Sequence, residues 1–156
     1  MVDQTSELAD RIVRFLEAHH VMSLATVGSL GPHAANLFYV CDGFGVVWVS
    51  DPNSRHSRDL ETDARVSATV APDTSDYARV RGAQIHGVAR RVTDSDERRR
   101  LLALLVQRYS FLAKPKDASE KMAAAFDSAA VYRLEPARIV LVDNSLGFGH
   151  KDTLVL

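Results

Sequence analysis

A chain of 156 residues with 46% apolar content has the size and hydrophobicity of one globular domain with its own core, so residues 1–156 are read as a single domain. Nineteen Lys and Arg against 20 Asp and Glu give a formal charge of -1, which leaves no excess cation to neutralise a nucleic-acid backbone and disfavours DNA or RNA as a partner. The lone cysteine, Cys41, can form neither an intramolecular disulfide nor a thiolate-rich metal site, and no apolar stretch has the length of a membrane span, so the expected setting is the cytoplasm, away from membranes.

Along the chain, Leu8, Ile12, Phe15 and Leu16 recur at helical spacing and predict an amphipathic helix over residues 6–20. The period then changes. VMSLATV (21–27) and HAANLFYVC (33–41) are rich in strand formers and are separated by Gly28, Gly31 and Pro32, which reads as a hairpin. Asp42 and Gly43 turn the chain into VVWVS (46–50), a third short strand. After the loop DPNS, Ser54 is placed to cap a short helix from Arg55 to about Asp63. RVSATVA (65–71) returns as a strand, and 78–93 reads as one long strand that Gly82 and Gly87 interrupt with bends or bulges. A helix is expected over 96–109 and an Ala-rich one over about 118–126, followed by the strand-like pieces AVYRLEP and ARIVLVD and the tail DNSLGFGHK. Most strands are joined by short turns rather than by helices. The pattern therefore predicts a mainly β, α+β fold: an antiparallel split barrel of six or seven strands with peripheral helices.

The segment from Ser50 to Ser57 gathers hydroxyls, a guanidinium and an imidazole where a strand ends and a helix begins. Ser50, Ser54, Arg55 and His56, together with the free amides of the helix start, would make a phosphate cradle. The same residues also suit an ordinary capped helix with a solvated arginine.

Taken in order, the residues HAANLFYVCDGFGVVWVSDPNSRHSRDLETDARVSATV resemble the flavin-binding half of the pyridoxamine 5'-phosphate oxidase-like split-barrel family, with similarity over about residues 8–93. The resemblance implies bound flavin mononucleotide (FMN). In that family the second strand lays its backbone along the isoalloxazine ring, which implicates Asn36, Leu37, Phe38 and Tyr39, and the cradle holds the phosphate. His56 stands where lysine is usual, and Asp59 and Leu60 stand where Asn and Leu often follow. A neutral imidazole still donates one hydrogen bond but carries no fixed charge. The tail DNSLGFGHK after RIVLVD resembles a small bacterial branch of the family with a DN-x-LGFG ending. By itself that tail supplies flexible glycines and the apolar anchors Leu146 and Phe148, as a lid or as a terminal staple.

Gln84 and His86 share one face of the long strand, with Gln84 a further candidate for the cofactor side. His19 and His20 suit a helix carboxyl end, His33 reads as a solvated residue after a turn, and no histidine pair has the spacing of a helical metal site. The resemblance implies an FMN-dependent oxidoreductase acting on a small molecule, working as a homodimer that shares the cofactor between subunits. No residue identifies itself as catalytic, with Tyr39, His86 and His150 as the candidates for an acid or base. The alternatives are a non-catalytic flavin-binding or haem-binding protein, the latter using His150, and a deazaflavin-dependent reductase.

Overall fold

Helix α1 (Gln4–Glu17) inserts its apolar side into one end of a curled sheet, and Ile12 and Leu16 are completely buried there among Met22, Leu24, Ile85 and Ile139. The structure, a computed structural model, describes residues 4–113, 119–120, 124 and 127–156. Strand β1 (Val21–Gly28) alternates strictly, with Met22, Leu24 and Thr26 pointing inward, and it pairs antiparallel with β2 (Gly31–Phe38) along its whole length. The turn between them requires glycine at position 31, where φ is +89°.

The expected strand over 33–41 is broken at Tyr39, whose side chain is fully buried. Beyond it, β3 (Val40–Asp42) turns back into β4 (Gly45–Ser50), which leads into α2 (Arg55–Thr62). Strand β5 (Arg65–Val70) pairs with β1 and with β6 (Arg81–Arg91). Helix α3 (Ser95–Arg108) packs Leu101 and Leu105 over Val40, Val47 and Val131 as a second, smaller core. The two pieces expected near the carboxyl end form one continuous strand, β7 (Ala130–Asp143), which pairs with β6 on one edge and with β4 and then β8 (Lys151–Val155) on the other. The expected Ala-rich helix over 118–126 falls mostly outside the described residues.

The sheet order is β2-β1-β5-β6-β7-β4-β3, with β8 beside β7, and every pairing is antiparallel. This is the expected split barrel with peripheral helices, eight-stranded when the three-residue β3 and the terminal β8 are counted. Of the two glycines expected to bend β6, Gly87 marks a register shift against β7, whereas the pairing with β7 runs unbroken through Gly82. At Gly87 a Cβ would stand 2.1 Å from the Glu135 carbonyl oxygen, so the two strands meet backbone to backbone. Replacing Gly87 with Ala must push β6 and β7 apart. We expect a loss of about 3 kcal/mol of stability, read from urea unfolding; an unchanged midpoint would show that the bulge can shift freely.

Candidate functional site

Five polar or charged side chains are buried among the described residues, namely Thr26, Ser50, His56, Ser57 and Asp59, and all five lie where α2 packs between β1 and the end of β4. Burial of polar groups is costly unless each finds a partner, so their concentration in one place marks that place. The local sequence explains how it forms. Asp51 accepts the Asn53 amide proton and turns the loop, and Ser54 then caps α2 by accepting the Ser57 N–H. Its second turn sits flush on β1 because residue 28 is glycine; a Cβ there would overlap Asp59 Oδ1 at 1.9 Å. Thr26 Oγ1 donates to Asp59 Oδ2 at 2.8 Å and fixes the helix to the strand.

At the amino-terminal end of α2 the hydroxyls and the imidazole form one network. His56 Nε2 lies 2.6 Å from Ser50 Oγ and 3.1 Å from Ser54 Oγ, and Ser54 Oγ donates to Ser57 Oγ at 2.8 Å. Burial, and then the neighbouring His33, hold the His56 pKa below its ordinary value against the opposing pull of Asp59, so the ring is neutral at neutral pH. Arg55 is anchored by Nη2, which donates to the carbonyls of Leu30, Gly31 and Pro32 at 3.2 to 3.3 Å. Its Nε is buried and, among the described residues, has no hydrogen-bond partner. A buried guanidinium N–H left over in this way is able to donate to an anion.

The structure therefore brings Ser50, Ser54, Arg55 and His56 together, and adds three residues to them. Ser57, Thr26 and His33 complete the cluster. His33 was expected to be solvated, but it is half-buried and its ring lies parallel to that of His56, 9° between planes and 6.4 Å between centroids. The β1–β2 register places His33 opposite Thr26, facing α2.

The residues expected along the ring divide between the two faces of β2. Asn36 and Phe38 point outward, Asn36 accepting from Ser23 Oγ at 2.7 Å and Phe38 lying 48% exposed against Tyr109 and Phe111. Leu37 packs on the core, and Tyr39 lies wholly within it. These two can meet a ligand through backbone only. β2 is a terminal strand of the sheet, so its outer edge carries backbone N–H and C=O groups that no strand pairs. Gln84 shares the outward face with Asn36, since Asn36 pairs across to Ser23, Ser23 to Thr69, and Thr69 to Gln84.

Tyr39 is corrected as an acid or base. Its hydroxyl donates to the Leu16 carbonyl at 2.6 Å, and burial drives its pKa well above the usual range. His86 Nδ1 lies 3.0 Å from Ser67 Oγ on the outward face. His150 sits in the tail, its Nε2 3.1 Å from Asp152 Oδ2, a carboxylate that also pairs with Arg11. The tail is a turn closing the β7–β8 hairpin: Asn144 donates its backbone N–H to Val80 O, and Phe148 rests on Tyr77 while remaining 86% exposed. Burial pushes the Cys41 thiol up to about 11, which fits a packed, unreactive side chain.

Residues 8–143 match the sequence model of a family described as Pyridoxamine 5'-phosphate oxidase. The chain is 32% identical over 142 residues to a UPF0306 protein of Klebsiella pneumoniae, the match covering 90% of this chain and 88% of that one. A solved structure of a conserved hypothetical protein from Mycobacterium tuberculosis is similar at 25% identity and a TM-score of 0.70, covering 96% of this chain and 91% of that one. A haem-binding protein from Mycobacterium smegmatis shares the fold at 23% identity and a TM-score of 0.75, covering 99% and 59%.

Tyr39→Phe removes only the hydroxyl that ties β2 to α1. Because the Leu16 carbonyl keeps a second donor, the His19 N–H at 3.3 Å, we expect a modest loss of about 1 kcal/mol in urea unfolding. Wild-type stability in this variant would show that the bond holds nothing in place.

Proposed function

The chain belongs to the pyridoxamine 5'-phosphate oxidase family, and on that premise we propose that it binds FMN as a symmetric homodimer and uses it in redox chemistry on a small molecule. The observation that carries this reading is the buried polar cluster at the start of α2, flanked by Arg55, whose Nε is buried and unpartnered among the described residues. The residues fit a phosphomonoester. Three serine hydroxyls, a guanidinium, an imidazole and the free amides of α2 offer many donors at one point, while the carboxylate of Asp59 is turned to Thr26. A haem would leave that concentration of donors without an acceptor, and His150 is already engaged with Asp152. A deazaflavin carries a phosphate too, and FMN is preferred on the family match.

Bound FMN would supply the electron transfer. The chain's own part is to hold and surround it. Ser50, Ser54, Arg55 and His56 would grip the phosphate. The unpaired edge of β2 would lie along the ring through the backbone of Asn36 to Tyr39, with Asn36 and Gln84 offering side chains from the outward face. That face carries short side chains, Ser23, Ala25, Ala34, Ser67 and Thr69 among them, and its outward residues on β1, β2 and β5 are largely exposed. A second copy laid across it would bury β6 in the interface, enclose the ring and complete a substrate space.

Two outcomes follow. Purified apoprotein is expected to bind FMN far more tightly than riboflavin, and Arg55→Ala to weaken FMN by about 1.5–3 kcal/mol while leaving riboflavin unchanged, both read from fluorescence titration. Equal affinity for the two flavins would remove the phosphate assignment. In sedimentation at micromolar concentration the protein is expected to run as a dimer; a monomer that still holds FMN would rule out a shared site.

A further inference from the structure

His33 has no place in the assignment of the cradle so far, yet it is the side chain nearest in kind to His56 and lies parallel to it at 6.4 Å. Among the described residues its ring nitrogens make no hydrogen bond, and the separation is too great for the two rings to bond each other. The cluster is thus bordered by the buried, unpartnered Nε of Arg55 and by a half-buried imidazole that no side chain among the described residues engages by hydrogen bonding. Of the charged groups on α2, Asp59 acts on His56, and Arg55 reaches past it to the Leu30, Gly31 and Pro32 carbonyls, while β1 and β4 contribute the hydroxyls of Thr26 and Ser50.

We propose that His33 is a second phosphate-binding imidazole, and that the His33–His56 pair takes up a proton when a phosphomonoester enters the cradle. The proposal rests on the FMN reading above and adds to it the regulation of that site. Its logic is local charge. Without ligand, no acceptor among the described residues bonds the His33 ring, and burial favours the neutral form of His56. A phosphate dianion brings two negative charges to the same point. The imidazolium form then becomes the favoured one, as a charge-assisted donor to the phosphate oxygens. The sign follows. The pair's apparent pKa is raised in the complex, so binding is strongest below that value and weakens as pH rises through it, and the two rings titrate as a coupled unit.

The test is calorimetric titration of FMN, with riboflavin as control, into apoprotein at pH 7.5 in buffers of different ionisation enthalpy. At that pH the phosphate is already a dianion, so proton uptake reports the protein. The wild type is expected to take up a substantial fraction of a proton with FMN and none with riboflavin. His33→Gln keeps a hydrogen-bond donor but cannot titrate; it should lose much of the uptake and bind FMN about tenfold less tightly. His33→Lys, carrying a permanent charge, should restore affinity without the uptake. Undiminished uptake and affinity in His33→Gln would overturn the role of His33 while leaving the FMN assignment intact. FMN bound no better than riboflavin by the wild type would overturn that assignment and this inference with it.

Discussion

One residue closes the barrel. β2 and β3 stand at opposite ends of the sheet, yet only Tyr39 separates them in the chain, so the sheet has no choice but to curl until its ends meet. Every polar group of that residue is tied: its N–H donates to the His20 carbonyl, its hydroxyl to the Leu16 carbonyl, and its own carbonyl accepts from the Tyr109 hydroxyl at 2.5 Å. Through these bonds α1, the joint and the end of α3 are fixed to one another. Arg108, next to Tyr109, donates to the Glu17 and His19 carbonyls and answers the free end of α1.

Closure by a joint rather than by hydrogen bonding is what leaves a split. β2 keeps an unpaired edge near the end of β4, and the chain leaving β4 must cross that gap to begin α2. A helix started at such a place has its first amides and its cap residues beside an open strand edge instead of in solvent or in core. Gly28 lets the helix settle there, and Thr26 and Asp59 lock it. The site is therefore a consequence of the topology. The polar residues sit at the one place where the barrel cannot cover them with another strand.

Much of this was legible in the sequence because it is local. Helix ends, the glycine turns and the Ser50–Ser57 segment are each written in a few neighbouring residues, and the bulge at Gly87 has its own local mark. The rest depends on register. His33 and Thr26 are seven residues apart and unremarkable until β1 and β2 pair and set them opposite each other under α2. Asn36 to Tyr39 look alike as strand formers, but only the break at Tyr39 decides which of them face out. Tyr39 itself invites a chemical role by residue type, and its burial against Leu16 denies it one. Gln84 reaches the same face as Asn36 only through two intervening strands, which no local pattern could reveal.

The molecule contains a second concentration of polar and charged groups, and the two differ in how fully their members are paired. Asp42, at the β3–β4 turn, is held by Arg100 from α3 and by Arg133 from β7, and Arg133 also reaches Glu135. Hydrogen bonds from Arg100 and Arg133 hold the Asp42 carboxyl far below its ordinary range, and Gly45 gives Arg133 room to lie flat. There each arginine answers a carboxylate, and the group clamps α3 to the sheet. At α2 the count does not close. Among the described residues, Arg55 spends one nitrogen on three carbonyls and leaves another buried without an acceptor, His33 stacks on His56 but forms no hydrogen bond, and the Ser50 and Ser54 hydroxyls share a single imidazole nitrogen. Folding alone would favour replacing such residues with apolar ones of similar size. An anion that binds the folded state alone would offset the cost of keeping them, and would raise the stability of the protein as it did so.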